Sequence, residues 1–242
     1  MSYTIKTLNK ISPKGLSKFG EGYVLDDNAA NPDAILVRSA SLHEVEFPES
    51  LLSIARAGAG VNNIPIDKCA EKGIVVFNTP GANANAVKEL AIAAMLISSR
   101  KIVDGINWAN SLTENVAKEV EKGKAQFVGP EIEGKVLGVI GLGAIGVLIS
   151  NAAVNLGMEV LGYDPYISID AAWGLSRAVK KAPDLKTIFE QADYITLHMP
   201  YNEKTKGTLN AAAFAQMKDG VRIINLSRGE LVVDEDVLAA IE

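Results

Sequence analysis

The sequence predicts an α/β protein built on parallel sheets, and three observations lead to this class. Short apolar runs alternate with helix-like stretches along all 242 residues, which is typical of parallel sheets. One apolar run, Val136–Ile140, leads directly into a glycine-rich turn and then into a helix. The hydrophobic fraction of 48% is ordinary for a globular protein, and the length suits one large or two small domains.

The first segment covers residues 1–98 and contains five candidate strands. Apolar runs of this length suit buried strands of a parallel sheet. They lie at residues 3–8, 22–25, 34–37, 53–57 and 74–77. Residues 66–72 are helix-like and contain Cys69, the single cysteine. One cysteine excludes an intrachain disulfide, and its setting favours a small packed side chain over a nucleophile.

Two helices are predicted between the segments. Residues 84–99 form a strongly apolar helix, consistent with burial on several faces. Residues 102–124 follow as a more polar helix with alternating charges. This second helix is either a solvated connector or a contact between subunits.

The second segment, residues 99–242, carries the most informative motif. Gly141, Gly143 and Gly146 form G-x-G-x-x-G where a strand ends and a helix begins. The first glycine permits a tight turn, the second lets backbone approach a pyrophosphate, and the third lets the helix pack closely on its strand. Ala144 and Ile145 lie between these glycines, where free N–H groups face the phosphates. The segment is therefore predicted to be a Rossmann-type dinucleotide-binding domain.

An acid follows the next strand of this segment. The strand at residues 158–163 ends at Asp164, where a carboxylate can accept hydrogen bonds from the adenosine ribose. The 2′-phosphate of NADP would be repelled there by roughly a few kcal/mol, so NAD is the predicted cofactor. The alternative is a solvated acid that opens a turn before Pro165.

The remaining elements leave the second sheet short. Strands are predicted at residues 194–198 and 221–226, and a helix at residues 235–242. A doubly wound nucleotide-binding sheet has about six strands. One strand is therefore missing from its second half, and we expect the chain to be a fragment of a longer enzyme.

Charge and hydropathy exclude several partner classes. The net charge of −5 argues against nucleic acid, which needs a basic face. No signal-peptide core and no run approaching the ~20 apolar residues of a membrane span occurs. We therefore expect a cytoplasmic protein with no membrane or nucleic-acid partner, and no metal site is predicted.

Further motifs follow one another along the chain in a fixed order. Several separated motifs in order are more specific than any single one. In these motifs the chain resembles the D-isomer-specific 2-hydroxyacid dehydrogenases, and most closely the branch that oxidises D-3-phosphoglycerate. They are Val37-Arg38-Ser39, residues 56–63, residues 78–81 with Val87 to Glu89, His198-Met199-Pro200 with Thr205, and residues 225–230.

The resemblance implies both a fold and a reaction. The fold is a Rossmann-type domain with a smaller, flavodoxin-like substrate domain at residues 1–98. The reaction is NAD-dependent oxidation of D-3-phosphoglycerate to 3-phosphohydroxypyruvate, the first step of L-serine biosynthesis, by hydride transfer in a cleft between the segments. It also implies a homodimer or higher homo-oligomer. The alternatives are another dehydrogenase of the glycerate or lactate type, or a non-catalytic NAD-binding regulatory module.

Arg228 is the predicted catalytic residue. It follows an apolar strand, where ligands meet the carboxyl ends of strands. Its planar guanidinium can hold a substrate carboxylate in a fork and polarise the C2 oxygen. Without its neighbours in the motif, Arg228 would be better explained as an arginine near a helix start.

Substrate contacts are predicted in the first segment. Gly58, Ala59 and Gly60 follow a strand, and their small size leaves backbone N–H groups open to a carboxylate. A plain tight turn is the alternative. Arg38, at the end of another strand, could reach the substrate phosphate, or could be an ordinary surface arginine.

The resemblance assigns further cofactor contacts to Thr79, Met199 and Leu226. The family's catalytic histidine and glutamate lie downstream of Arg228 and are absent from these 242 residues, so we expect the isolated chain to be inactive. His198 resembles a position at the cofactor's edge and His43 is expected to be exposed, so neither is a candidate base. Lys88 stands where relatives carry a small residue, and its role is left open.

Overall fold

A computed structural model describes residues 2–241. Its contacts group the chain into two compact units, Met1–Asn83 and Ala84–Glu242. Helix α3 (Ala84–Arg100) therefore belongs by its contacts to the second unit, because Ala91 and Met95 pack in that unit's core. The domain division predicted after residue 98 falls within the last turns of this helix and stays a prediction.

The first unit is a five-stranded parallel sheet. Its strand order, β2-β1-β3-β4-β5, is the flavodoxin-like order, which confirms the predicted class. The strands are β1 (Tyr3–Leu8), β2 (Tyr23–Leu25), β3 (Ala34–Val37), β4 (Ser53–Arg56) and β5 (Val75–Asn78), with short helices α1 (Pro13–Leu16) and α2 (Ile66–Glu71). All five strands lie within one residue of their predicted bounds.

The core of the first unit explains the buried cysteine. Val37, Ile54 and Cys69 are at most 1% exposed and share one apolar cluster. Burial raises the pKa of the Cys69 thiol above its usual value, which keeps it protonated and unreactive. The interpretation of Cys69 as a packed side chain is confirmed.

The second unit is a doubly wound sheet that turns in both directions from β6. Its order is β10-β9-β6-β7-β8, and every pairing is parallel. The strands are β6 (Val136–Ile140), β7 (Glu159–Tyr163), β8 (Lys180–Lys181), β9 (Tyr194–Leu197) and β10 (Arg222–Asn225). The Rossmann-type arrangement is confirmed, and within the described residues β10 forms one edge.

Strand β8 is not predicted by the sequence. It consists of two exposed lysines that pair with Leu161 and Gly162 of β7. Two charged residues carry no apolar pattern, so this pairing depends on the neighbouring strand and had no local signal.

Both faces of the second sheet are buried. Leu137 and Val139 point into one core cluster, and Ile140 lies in the other, as the twofold alternation of a strand requires. A Cβ on Gly138 would overlap the side chain of Ile188, which lies in the helix Leu185–Gln191. The glycine therefore lets this helix lie close to the sheet. Each fully buried aliphatic side chain contributes about 1.5–3 kcal/mol.

Two expectations about the central helices are wrong. Helix α3 buries one face, at Ala84, Ala91, Met95 and Ser99, whereas Leu90 is 57% exposed, so burial on several faces does not occur within the described residues. The single helix predicted at residues 102–124 is interrupted. The chain forms α4 (Ile102–Ser111), α5 (Val116–Gly123) and a 3₁₀ turn (Lys124–Phe127), because Leu112 is extended and Asn115 is left-handed.

The remaining helices surround the second sheet. The short helices α7 (Ile169–Gly174), α8 (Leu185–Gln191) and α9 (Ala211–Phe214) are not among the predicted elements. Ser168, Asp184 and Asn210 nevertheless cap them with side-chain oxygens, a recognisable start signal. The helices are α6 (Ala144–Asn155), α7 (Ile169–Gly174), α8 (Leu185–Gln191), α9 (Ala211–Phe214) and α10 (Asp234–Ile241), with a 3₁₀ turn at Gly229–Leu231. No helix among residues 2–241 combines the length and apolar character needed to cross a membrane.

Candidate functional site

The sheet register of the second unit gathers the predicted cofactor residues at one edge. Ile140 pairs with both Tyr163 and Leu197, and Leu197 pairs with Asn225. Gly141, Asp164, His198 and Leu226 each follow directly after one of these paired residues. They therefore lie at the carboxyl ends of four adjacent strands, where doubly wound sheets bind ligands.

The three glycines of the turn meet three different demands. Gly141 has φ +95°, and a Cβ there would lie 2.6 Å from the carbonyl carbon of His198. A Cβ on Gly146 would overlap the carbonyl oxygen of Gly141, so helix α6 can lie against the turn only with glycine at this position. Gly143 faces open space, with nothing within 4 Å of a Cβ.

The start of helix α6 offers a row of free donors. Gly143 caps this helix without a side-chain hydrogen bond. The backbone N–H groups of Gly143, Ala144, Ile145 and Gly146 have no hydrogen-bond acceptor among the described residues. Because a helix N-terminus also carries a partial positive charge, these groups can bind the phosphates of a dinucleotide.

Asp164 links the acid position to the glycine turn. Its Oδ2 accepts a hydrogen bond from Leu142 N at 2.8 Å, and its Oδ1 accepts one from Tyr166 N at 2.8 Å. A carboxylate has about four acceptor positions, so two positions stay open to ribose hydroxyls. The turn before Pro165 and the ribose role are thus compatible with each other.

His198 is a half-buried, neutral histidine behind the glycine turn. Burial lowers the pKa of His198 to about 4. Its Nε2 and the Thr196 Oγ1 lie 2.8 Å apart and share a hydrogen bond, while Nδ1 is buried without a partner in the described part of the chain. A histidine whose pKa lies this far below physiological pH is a poor proton acceptor. This agrees with the exclusion of His198 as the catalytic base.

The loop that carries Arg228 is held by its own neighbours. Asn225 Nδ2 donates to the Arg228 carbonyl oxygen at 2.7 Å, and Ser227 N donates to Asn225 Oδ1 at 3.0 Å. Ser227 Oγ donates to the Leu197 carbonyl oxygen at 2.6 Å, which ties the loop to strand β9.

The guanidinium of Arg228 is half-buried and open to an anion. Its Nη1 donates to the Ser227 carbonyl oxygen at 3.0 Å. No carboxylate among residues 2–241 pairs with it. The remaining N–H groups of the fork can therefore hold a substrate carboxylate.

The carboxyl edge of the first sheet brings together the predicted substrate residues of that unit. Val37 pairs with Arg56, so Arg38 and the Gly58–Gly60 loop follow neighbouring strands. Arg38 is exposed, and its guanidinium has no partner within the described residues. The Arg56 Nε donates to the Arg38 carbonyl oxygen at 3.0 Å.

The Gly58–Gly60 loop presents two free donors. Gly58 N donates to the Arg56 carbonyl oxygen at 2.9 Å, so this N–H is already occupied. The N–H groups of Ala59 and Gly60 have no acceptor in the described chain. Asn78 Nδ2 donates to the Ala59 carbonyl oxygen at 2.7 Å, an anchor that the sequence does not reveal.

The remaining residues singled out in the sequence are Thr79, His43 and Lys88. Thr79 N donates to the Gly58 carbonyl oxygen at 3.0 Å, which joins the end of β5 to the loop. His43 is exposed, as expected, and its Nε2 lies 2.9 Å from the Asn62 carbonyl oxygen. Lys88 donates to Asn85 Oδ1 at 2.6 Å on the surface of helix α3. No cluster of possible metal ligands exists among the described residues.

The family is decided by comparison with known proteins. Residues 92–242 match the model of the D-isomer specific 2-hydroxyacid dehydrogenase, NAD binding domain. The chain belongs to this family. NAD is accordingly its cofactor, and the residues present fit it, since Gly143 leaves space beside four free N–H groups and Asp164 ends strand β7.

Individual relatives carry two different enzyme names. The D-3-phosphoglycerate dehydrogenase of Synechocystis sp. is 38% identical over 213 residues, which are 87% of this chain and 36% of that protein. The hydroxypyruvate reductase of Thermotoga maritima is 39% identical over 209 residues, 85% of this chain and 63% of that protein. The chain thus spans less than two thirds of either relative's length.

A solved structure shares the fold. The NAD⁺-bound 3-phosphoglycerate dehydrogenase of Entamoeba histolytica superposes with a TM-score of 0.76 at 26% identity, covering 99% of this chain and 76% of that one. The resemblance inferred from the sequence motifs is therefore confirmed at the level of the family.

Proposed function

We propose that the protein oxidises D-3-phosphoglycerate to 3-phosphohydroxypyruvate with NAD, the first step of L-serine biosynthesis. The observation that carries the proposal is Arg228, held at the carboxyl edge of the NAD-binding sheet with its fork free for a carboxylate. The guanidinium of Arg38, exposed and without a partner among residues 2–241, supports a phosphorylated substrate. The Synechocystis relative carries the corresponding name.

Binding of the cofactor rests on the glycine turn. The N–H groups of residues 143–146 would hold its pyrophosphate, and Asp164 would accept hydrogen bonds from the adenosine ribose. Met199 and Leu226 would border the cofactor at the same edge of the sheet, and the resemblance to the family assigns a further cofactor contact to Thr79. Bound NAD⁺ supplies the hydride acceptor, C4 of the nicotinamide.

Binding of the substrate divides between two kinds of group. The N–H groups of Ala59 and Gly60 donate to the substrate carboxylate, and Arg228 both holds the carboxylate and polarises the C2 oxygen. Arg38 pairs with the phosphate. In the oxidation, C2 loses a hydride and the C2 hydroxyl loses a proton, so the C2–O bond becomes a carbonyl.

The proton is not assigned to either histidine of this chain. His198 is neutral and half-buried and has a pKa of about 4, while His43 is exposed and contacts Asn62. A guanidinium has hydrogen-bond donors but no acceptor, so Arg228 orients the C2 oxygen and stabilises its developing negative charge, but does not accept the proton.

A second candidate substrate follows from the Thermotoga relative. Its name, hydroxypyruvate reductase, favours the unphosphorylated acid pair, D-glycerate and hydroxypyruvate. The same carboxylate contacts would serve that reaction, and Arg38 would then contribute little to substrate binding.

The test is a substrate panel on the full-length protein with NAD, followed by NADH absorbance. We expect D-3-phosphoglycerate to be oxidised with a higher kcat/KM than D-glycerate or D-lactate. Arg228→Lys should lower kcat/KM by about a hundredfold because the bidentate fork is lost.

The exposed Arg177 provides the matched control, since Arg177→Lys should leave the kinetics unchanged. Equal kinetics for Arg228→Lys and the parent would remove Arg228 from the active site. Preference for D-glycerate would replace the proposed substrate by the second candidate.

A further inference from the structure

Three strand ends meet around Arg38 in the first sheet. Leu8 of β1 pairs with Val37 of β3, and Val37 also pairs with Arg56 of β4. Asn9 and Arg38 are the next residues along β1 and β3, so they leave the sheet side by side.

Asn9 holds the backbone that follows Arg38. Its Oδ1 accepts hydrogen bonds from the N–H groups of Ser39 and Ala40, each at 2.8 Å. Asn9 itself has φ 69°, a left-handed conformation that asparagine tolerates better than most residues. A single side-chain oxygen thus fixes two consecutive N–H groups of a loop that begins 29 residues later.

Arg56 holds the same backbone from the other side. Its Nε donates to the Arg38 carbonyl oxygen at 3.0 Å. The peptide group that follows the Cα of Arg38 is therefore held from two sides, by Asn9 at its N–H and by Arg56 at its carbonyl oxygen, while the guanidinium itself is exposed and has no partner in the described part of the chain. A cation on a fixed backbone loses less conformational entropy when it pairs with an anion.

We propose that Asn9 is a positioning residue for substrate recognition. It orients the Arg38 loop so that the guanidinium meets an anionic group, a phosphate, at the end of the substrate remote from the carboxylate. A doubly charged phosphate gains more from a fixed guanidinium than a neutral hydroxyl does. The inference rests on the proposed function, because it takes a 2-hydroxy acid as the ligand.

The decisive variant is Asn9→Gly in the full-length protein. Glycine adopts positive φ without strain, so the turn is kept while the acceptor is removed. We expect the Kd for D-3-phosphoglycerate, measured by calorimetry, to rise about tenfold, and the Kd for D-glycerate to stay within about twofold. The KM for the phosphorylated substrate should rise in parallel, with kcat unchanged.

Asn115 provides a matched control in the second unit. It is also a left-handed asparagine, with φ 49°, but its side chain makes no capping hydrogen bond. Asn115→Gly should change neither Kd. A loss in Asn9→Gly that is equal for both ligands would indicate a merely structural role and would overturn the proposal.

A double variant tests whether Asn9 acts through Arg38. If it does, Asn9→Gly added to Arg38→Gln should cause no further loss of phosphate preference, whereas independent residues would give additive losses. Additive losses would contradict the proposal.

Asn9→Asp keeps the proposal testable if the glycine variant does not fold. The carboxylate retains both accepted hydrogen bonds, so the Arg38 loop should stay in place and most of the preference for the phosphorylated ligand should be kept, whereas Arg38→Gln should abolish it. A loss of preference in Asn9→Asp as complete as that in Arg38→Gln would overturn the proposal. Failure of the proposed function is distinguishable, since it would appear as no turnover of any 2-hydroxy acid, whereas these ratios come from binding alone.

Discussion

Among single residues, Asp164 combines two tasks in one carboxylate. It accepts hydrogen bonds from the turn residue Leu142 and from Tyr166, and it ends the strand where a ribose would lie. A truncation to alanine would remove both tasks together. A variant that keeps the oxygen acceptor and removes the charge separates them.

We therefore predict the effect of Asp164→Asn on cofactor choice. The amide oxygen can still accept from Leu142 N, so the turn should be retained. The repulsion of the NADP 2′-phosphate is lost, and we expect the NAD over NADP preference in Kd to narrow by about tenfold. The measurement is titration of both cofactors by calorimetry, and an unaltered ratio would count against the ribose role.

Arg56 joins the predicted carboxylate loop to the loop of Arg38. A Cβ on Gly58 would overlap Nη1 of Arg56, so the guanidinium lies directly over the backbone of the predicted carboxylate loop. Arg56 belongs to the motif by which the chain resembles its family, but its contact with the Arg38 carbonyl oxygen joins two strands. Such a contact depends on strand pairing, which the residue pattern does not specify.

At the scale of elements, the segment made of strand β6, the glycine turn and helix α6 contains one glycine that the packing requires and one that the cofactor requires. Gly146 and Gly143 belong to the same motif, yet only Gly146 is confined by backbone, against the Gly141 carbonyl oxygen. Gly143 faces open space. The two positions form a matched pair for substitution.

We expect Gly146→Ala to lower the free energy of unfolding by about 1–3 kcal/mol, because helix α6 must move away from the turn. Gly143→Ala should leave stability within about 0.5 kcal/mol of the parent, yet raise the Kd for NAD at least about tenfold, because the methyl group occupies the space for the pyrophosphate. Urea unfolding and NAD titration of both variants check this. NAD binding by Gly143→Ala at parental affinity would refute the placement of the pyrophosphate.

Local sequence predicted most elements because strands of four to six residues in this protein are marked by apolar runs of the same length. The short helices α7, α8 and α9 escaped prediction although their capping residues are a local signal, and the other failures occurred where the signal was not local. Strand β8 has no apolar residue, and the interruption between α4 and α5 depends on the left-handed Asn115, which an alternating charge pattern does not reveal.

For the whole molecule, His198 links stability to pH. Its pKa is about 4 in the folded protein because of burial, against about 6.5 in an unfolded chain. The unfolded state therefore binds a proton between these values that the folded state does not. The contribution is fully present above about pH 6.5 and is lost as the pH falls towards 4.

We predict that the free energy of unfolding decreases by up to about 3 kcal/mol as the pH falls from about 6.5 to about 4, because only the unfolded state protonates His198 in this interval. Urea unfolding at a series of pH values should show a shallower dependence in His198→Gln than in the parent. The protein has two histidines, and the exposed His43 supplies the control. An identical slope in His198→Gln and His43→Gln would show that His198 is not held neutral by the fold.

Each unit has its own sheet, core and carboxyl edge. The first unit presents Arg38 with the free N–H groups of Ala59 and Gly60, and the second presents the glycine turn with Arg228. In the proposed reaction the groups of the first unit recognise the acid, while the second unit binds NAD and adds Arg228 as a further contact to the acid.

The amino-acid sequence by itself determined the α/β class, nearly all strand bounds, the glycine turn and the family. These depend on local composition, twofold periodicity and short motifs, all of which involve residues close together in the sequence. Only the tertiary structure decided which N–H groups are free, that Asp164 also holds the turn, that His198 is neutral, and that Asn9 holds the loop of Arg38. The physical reason is that each depends on hydrogen bonds or burial between residues distant in sequence, such as Asn9 and Ser39, 30 positions apart.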